Sequence, residues 1–491
     1  MGKIGLFLEH GRQDPGYRSV TERINDFRTV EMTFTEESAH VQMGRCLECG
    51  TPFCHGYGCP LANVIPELND LAWQKRWEEA LAILLAHNPF PEFTGRLCPA
   101  LCEAACVLAI NDDAVAIRQI ELAIIEKGFA KGYLQPSPPA KRFEERVAVI
   151  GSGPAGLAVA DTLNKSGYPV VVYERAAKIG GILRYGIPDF KLEKWVLDRR
   201  IQLMEKEGIR FETGVTVGTD IAYKYLTSRF KAICLCGGAG QPRDLKVPGR
   251  DLEGIHFAMD YLVAQNKKNG GEYLDAAMDI DARGKKVVII GGGDTGADCL
   301  GTAIRQGAKS VFQLEILPEP PRARPATTPW PMWPSIRRDA SSHQEGGRRR
   351  WGVSATSFKG NSGHVSRVQC VEVDHVHHPE GQGKFIPRQG TEFELEADLV
   401  LMALGYIAPD RTRLAEDIHH ACGRQQQFGA SEASRSKPRN FPAINGKYQM
   451  AGDMRLFVAG DMRSGPSLVA KSIADGISSA REIVRWLKGT A

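Results

Sequence analysis

The chain of 491 residues contains no run of about 18 apolar residues, so no transmembrane helix is expected. Its opening stretch, MGKIGLFLEHGRQDPG, has neither the long apolar segment nor the cleavage site of a secretory signal. It begins Met-Gly, but Leu6 stands where a myristoylation signal wants Ser or Thr. Charge of one sign is not in excess. The 62 basic and 58 acidic residues leave a formal net charge of +4, too little for a nucleic-acid or membrane-surface footprint. No internal repeat of solenoid length is visible. These absences together predict a cytoplasmic protein that binds neither nucleic acid nor membrane.

What is present is size, glycine and clustered cysteine. At this length one hydrophobic core does not suffice, so two to four domains are expected. The 43% hydrophobic and 24% charged fractions are ordinary for a globular protein, and 52 glycines suit several phosphate-cradling turns. Seven of the twelve cysteines fall between residues 46 and 106. Cys46, Cys49, Cys54 and Cys59 form a C-x2-C-x4-C-x4-C run, and Cys98, Cys102 and Cys106 form C-x3-C-x3-C. In a reducing compartment such clusters are metal or redox ligands rather than disulfides. Thiolates at this density, with Gly and Pro between them, suggest iron–sulfur clusters. Seven thiolates and one further ligand would hold two four-ligand clusters. Structural zinc on the first four cysteines is the rival, but it leaves the second group without a role. Cys234, Cys236, Cys299, Cys370 and Cys422 stand apart and read as small packing residues. His55 reads as a loop residue rather than a ligand.

The first 140 residues read as mainly helical, with apolar helical spacing over Glu67–His87 and Ile117–Phe129 and cysteine loops between. A proline-rich linker, QPSPPAKR, follows at 135–142. Next comes an apolar strand at 147–150, then Gly151-Ser-Gly153-Pro154-Ala155-Gly156, a helix, and a second strand at 170–173 followed by Glu174. That order is a dinucleotide-binding β-α-β unit. Its glycines admit a pyrophosphate at a helix N-terminus, and its acid takes the ribose hydroxyls. A second unit starts with the strand at 287–290 and Gly291-Gly-Gly293-Asp294-Thr295-Gly296. Here the acid position is open between Gln313 and Glu315. Glu315 favours a free ribose hydroxyl and NAD, whereas Arg322 and Arg324 just beyond would clamp a 2′-phosphate and favour NADP. Near the C-terminus, Leu456-Phe-Val-Ala-Gly460-Asp461 and a helix from about Ser467 place an Asp where a flavin's ribityl or phosphate region would lie. Residues 316–350, rich in Pro, Arg and Trp, read as a long ordered loop. Residues 410–447 are polar and irregular and receive no assignment.

Taken in order, the cysteine run, CPALCEAAC, AVIGSGPAGLAVADTL, GGILRYGIPDFKL (180–192), VIIGGGDTGADC and FVAGDMRSGPSLV resemble the small (β) subunits of glutamate synthases over nearly the whole chain. The cysteine blocks and the 180–192 segment, with Gly181, are far more specific than the glycine loops. PRARPATTPWPMWP also resembles that family's Pro/Trp-rich loop. The resemblance implies a multidomain α and α/β fold: a helical domain (1–140) with two [4Fe-4S] clusters, then two Rossmann-like domains. FAD would occupy 143–253 and 408–491, split by an inserted NAD(P)H domain at 254–407. By the same resemblance, one cluster uses Cys46, Cys49, Cys54 and Cys106. The other uses Cys59, Cys98, Cys102 and a non-cysteine ligand, Glu121 first and Gln119 second. It further implies NADPH, with NADH as the alternative, and a large (α) subunit as partner in a hetero-oligomer. That subunit would make glutamate from glutamine and 2-oxoglutarate, since nothing here looks like a catalytic cysteine for amide hydrolysis. A related flavin/iron–sulfur subunit serving ferredoxin or a sulfur-reducing complex is the alternative function. The chain departs from the family at Ala470-Lys471-Ser472, where a more hydrophobic, Trp-containing segment is usual; Lys471 would either lie by the flavin ring or face solvent.

Overall fold

The computed structural model describes residues 5–378, 381–410, 413–422, 444–445, 448–450 and 452–489. The first part is helical. Helices Glu36–Met43, Ile65–Trp73, Trp77–His87, Pro91–Leu97 and Ile117–Ala130 surround a core that includes Ile65, Leu68, Leu84, Ile120 and Ile124. The expected continuous helix over 67–87 is two helices. Gln74, Lys75 and Arg76 are exposed, and Lys75 takes the left-handed conformation, at φ +63°. That conformation costs about 1–2 kcal/mol. In return, Leu68 and Ala72 of one helix and Leu81 and Leu84 of the next meet the same core.

Beyond the linker, one seven-stranded sheet has the order 444–445, 449–450, 456–458, 232–235, 147–150, 170–174, 210–213. The five strands from 456–458 onward run parallel. Runs such as VAVI and VVVYE are apolar without alternation, as strands covered on both faces must be. The C-terminal strand therefore completes a sheet begun some 300 residues earlier in the chain. Helix Val469–Leu487 packs on helix Pro154–Lys165, and Gly476 permits the approach: a Cβ there would lie 2.4 Å from the Ala155 carbonyl oxygen. The expected start of this helix, near Ser467, is Val469, and a short helical turn at Asp461–Ser464 precedes it.

A second parallel sheet has the order 255–257, 399–402, 286–290, 310–315, 348–351. An antiparallel layer of strands 353–361, 364–378, 381–387 and 393–396 is attached to it and was not foreseen. Its outer faces are polar, so the core signal is confined to scattered residues such as Val353, Ala355, Phe358, Val365, Val368 and Cys370. The segment 316–350 is irregular only as far as residue 340. It ends in helix Ser341–Glu345 and the edge strand Arg348–Trp351, whose arginines hide the strand in the sequence. Charge on an edge strand blocks unwanted pairing, and Arg350 is held by Glu372 at 2.9 Å. In the stretch that received no assignment, helix Arg413–Cys422 buries Leu414 and Ile418. The side chain of Cys422 lies outside the described residues. No helix is long and apolar enough to cross a membrane among the described residues.

An arm before the first core helix ties the parts together. Arg23, 1% exposed, pairs with Glu345 at 2.7 Å, and Arg305 pairs with the same carboxylate at 2.5 Å. All three side chains are buried. Val30 donates its N–H to Phe190 O at 3.0 Å, and Arg305 lies 4.0 Å from the Phe190 ring.

Candidate functional site

Two cavities divide the seven clustered cysteines. Cys46, Cys49, Cys54 and Cys106 line one; Cys59, Cys98, Cys102 and Glu121 line the other. A tight turn at Cys54–Gly58 separates Cys54 from Cys59, closed by the Cys59 N–H donating to Cys54 O at 2.9 Å. Gly58 lets the two cysteine segments touch, since a Cβ would sit 2.7 Å from the Cys102 Cα. His55 faces neither cavity; its Nδ1 lies 2.9 Å from Asn63 O. Burial pushes the Cys46 thiol up to about 11 and those of Cys54 and Cys59 to about 12. Thiolates there need metal charge to offset desolvation. Among the described residues no three Cys, His, Asp or Glu side chains converge closely enough for a single ion. A tetrahedral zinc, at Zn–S of about 2.3 Å, needs its thiolates roughly 3.8 Å apart. Four candidate ligands around each cavity suit a cluster, in which each iron takes one protein ligand.

Glu121 is buried, with its carboxyl pushed up to about 7 by burial. Its Oε1 accepts from Asn63 Nδ2 at 2.8 Å. Asn63 carried no signal in the sequence. Gln119, the second candidate, turns away: its Nε2 donates to Glu31 at 2.6 Å, and it does not line the cavity. Ala470 lines the Cys98 cavity although it belongs to the C-terminal helix that packs on the first glycine loop's helix. Lys471 is exposed.

At the first loop, Gly151 adopts φ +101° and a Cβ there would lie 2.5 Å from Cys236 O. A Cβ at Gly156 would lie 1.9 Å from Gly151 O, so the helix starts hard against the strand. By contrast nothing lies within 4 Å of a Cβ at Gly153, which leaves open space at the helix start, before Pro154 and Ala155. Glu174 accepts from the Ser152 N–H at 3.0 Å and its hydroxyl at 2.5 Å. The Gly180 N–H donates to Ser152 Oγ, and Gly181, at φ +51°, closes on Gly153. Gly460 completes the wall, at φ +69° with a Cβ clash at 2.6 Å on Ala155. Asp461 accepts from Ser467 at 2.9 Å and Ser472 at 3.0 Å, so one oxygen is held by its own loop. Asp475, not singled out from sequence, accepts the Gly460 N–H at 2.6 Å. Cys234 and Cys236 are buried but not isolated, with sulfurs 3.7 Å apart. Alternation along a strand puts i and i+2 on one face.

The second loop repeats the first. Gly291 has φ +128° and a Cβ contact of 2.2 Å with Ala403 O; a Cβ at Gly296 would meet Gly291 O at 2.2 Å; Gly293 is open. Asp294 and Thr295 begin its helix. Glu315 Oε2 accepts the Gly292 N–H at 2.8 Å, as Glu174 does at Ser152. Glu315 therefore holds its loop as Glu174 holds the first, whereas Gln313 donates to the Gly291 carbonyl. Arg324 is not free to clamp a phosphate. Its guanidinium donates to the carbonyls of Thr328 (3.2 Å), Met332 (2.6 Å) and Ala104 (3.1 Å), tying the loop to the helical domain. Arg322 is exposed. The same loop sets Trp330 against Phe53, with its indole N–H on Cys106 O at 3.1 Å, beside the first cavity.

Two dinucleotide loops on parallel sheets, with the helix that packs behind the first also lining a cysteine cavity, define an iron–sulfur pyridine-nucleotide oxidoreductase. Residues 23–133 match the family model described as dihydropyrimidine dehydrogenase domain II, 4Fe-4S cluster, and residues 145–476 match pyridine nucleotide-disulphide oxidoreductase. The glutamate synthase [NADPH] small chain of Mycobacterium tuberculosis is 47% identical over 100% of this chain and 97% of its own length. That of Bacillus subtilis is 42% identical over 100% and 99%. The glutamate synthase [NADH] of Schizosaccharomyces pombe is 42% identical over 98% of this chain but 23% of its own length. Among solved structures, Mycobacterium tuberculosis FprA in complex with NADPH shares the fold at TM-score 0.54 and 18% identity, over 70% of this chain and 85% of that one. The chain belongs to the family of glutamate synthase small chains.

Proposed function

We propose that this chain is the cytoplasmic electron-input subunit of a glutamate synthase. It oxidises a reduced nicotinamide dinucleotide and delivers the electrons to a large subunit that forms glutamate from glutamine and 2-oxoglutarate. The observation that carries this reading is the shared wall at Ala470. One helix both backs the first glycine loop and lines the Cys98 cavity. Gly151, Gly153, Gly156, Glu174, Gly460 and Asp461 would hold FAD. Gly291, Gly293, Gly296 and Glu315 would hold NADPH or NADH. The two cavity sets would each hold a [4Fe-4S] cluster, with Glu121 as the eighth ligand. When bound, the flavin takes a hydride and the clusters carry single electrons. The protein's own work is to position and to exclude water. Glu174 and Glu315 fix their loops, Asn63 orients Glu121, and Leu61, Phe90 and Phe93 seal the region between the first loop's core and the Cys98 cavity. The Cys98 set is then the nearer to the flavin. The Cys46 set, under Trp330, is the exit.

An anaerobic pull-down from the native source, with co-purifying chains identified by mass spectrometry, tests the reading. A large glutamate synthase chain in near-equal amount supports it. A ferredoxin or a sulfur-reducing partner in its place moves the function to another acceptor.

Nucleotide choice has its own test. A carboxylate at Glu315 repels a 2′-phosphate and accepts from a free ribose hydroxyl. Replacing Glu315 with Gln is expected to shift the kcat/KM ratio toward NADPH by roughly tenfold, the size of one charge-assisted hydrogen bond. An unchanged ratio in steady-state assays with both nucleotides would remove Glu315 from the ribose.

A further inference from the structure

The peptide group joining Gly291 to Gly292 is gripped at both ends from strand 310–315. Its N–H donates to Glu315 Oε2 at 2.8 Å, and its carbonyl accepts from Gln313 Nε2 at 2.9 Å. Gln313 is 1% exposed. Its own Oε1 lies 2.9 Å from His343 Nε2. The other ring nitrogen, His343 Nδ1, accepts from the Ala340 N–H at 3.0 Å. Because Nδ1 accepts, the ring's one proton sits on Nε2 and donates to Gln313. That fixes the amide's orientation and aims its NH2 at the glycine loop. Burial first, and Arg349 next, hold His343 neutral, pushed down to about 4.

The first loop has no such device. Its N–H is held the same way, by Glu174, but the residue two before Glu174 is Val172, which has no donor. Gln313 is therefore an addition to the nicotinamide loop rather than a requirement of the fold. A Cβ at Gly296 would come within 2.5 Å of its Nε2, so the side chain has one place to sit.

We propose that Gln313 and His343 are positioning residues for the nicotinamide dinucleotide, acting through the Gly291–Gly292 peptide to hold the pyrophosphate loop in its binding shape. This rests on the reading of the Gly291 loop as the nicotinamide site. With the peptide fixed, the loop needs no ordering when the nucleotide arrives, and preorganisation of that kind appears in affinity.

Three substitutions in the full chain separate positioning from packing. Gln313→Glu keeps the shape and can still accept from His343, but has no donor for Gly291 O. His343→Asn can still take the Ala340 N–H and cap the turn, but is too short to reach Gln313. His343→Gln reaches Gln313 and abandons the cap. Each is assayed by ferricyanide reduction with NADPH and with NADH, alongside flavin content and thermal midpoint. Gln313→Glu and His343→Asn are expected to raise the KM for the nucleotide by about tenfold, the effect of one buried hydrogen bond lost with its acceptor left unpaired. Their kcat and flavin content stay near wild type, and His343→Gln stays near wild type in KM. Wild-type KM in Gln313→Glu overturns the proposal. So does a pattern in which His343→Gln is impaired and His343→Asn is not, because the histidine would then be only a cap. A wild-type flavoprotein that oxidises neither nucleotide would instead defeat the reading of the site itself.

Discussion

Replacing Cys98 with Ala is expected to abolish glutamate formation with the large chain, by roughly a hundredfold or more, while nicotinamide-dependent ferricyanide reduction stays within about twofold of wild type. Cys98 lines the cavity shared with Cys59, Cys102 and Glu121, on the side walled by Ala470. In the proposed order this cluster lies after the flavin and before the Cys46 set. Cutting it strands electrons upstream without touching the Gly291 loop. Iron per chain should fall by about half, because the other cavity draws on four different cysteines. Simultaneous loss of both activities, with flavin released, would show the cluster to be a structural brace instead. Substituting Glu121 gives a milder version, since one ligand of four changes while the three thiolates remain.

Glu345→Ala should be the most destabilising single change outside the cysteines, at about 3–5 kcal/mol. Glu345 is completely buried and faces Arg23 and Arg305, which are nearly as deep. Removing it leaves two guanidinium groups charged, desolvated and facing each other. Arg305 retains carbonyl partners on Gly301 and Asp26 at 2.9 and 3.0 Å, and Arg23 retains Ser341 O at 2.8 Å, so the damage is partly cushioned. The midpoint of denaturant unfolding, followed by flavin release, gives the measurement. A loss under about 1 kcal/mol would mean that water reaches the triad. Glu345→Gln, which keeps an acceptor but loses the charge, should fall between.

Why some of this was legible in sequence and some not follows from range. The glycine loops are local. A strand, a turn and a helix within thirty residues announce themselves, and Glu174 sits where the spacing puts it. The cysteine groups are dense enough to signal metal unaided, and the resemblance divided them into the two sets that the cavities now bring together. What failed to show was either long-range or hidden by polarity. Arg324 has the composition of a phosphate clamp, and only the fold reveals that its donors are spent on carbonyls, one of them 220 residues away. Strand Arg348–Trp351 reads as a charged loop because its cations are paired across an edge. Asn63, Asp475 and His343 are ordinary residues made functional candidates by their neighbours. Gln313 was noticed for its position but left open beside Glu315, since acid spacing alone cannot tell two alternate residues of a strand apart.

The sheet that carries the first glycine loop is finished by strand Leu456–Val458, and its opening helix is covered by helix Val469–Leu487. On the ribosome, the first of these segments emerges long before the second, with the whole nicotinamide half threaded out between. Strand 232–235 must wait with one edge unpaired, and the apolar face of helix Pro154–Lys165 must wait uncovered. The first glycine loop's site is therefore finished late in biosynthesis, and the Cys98 cavity cannot be walled by Ala470 until helix Val469–Leu487 has docked. Premature termination should yield an aggregating fragment rather than a smaller working flavoprotein.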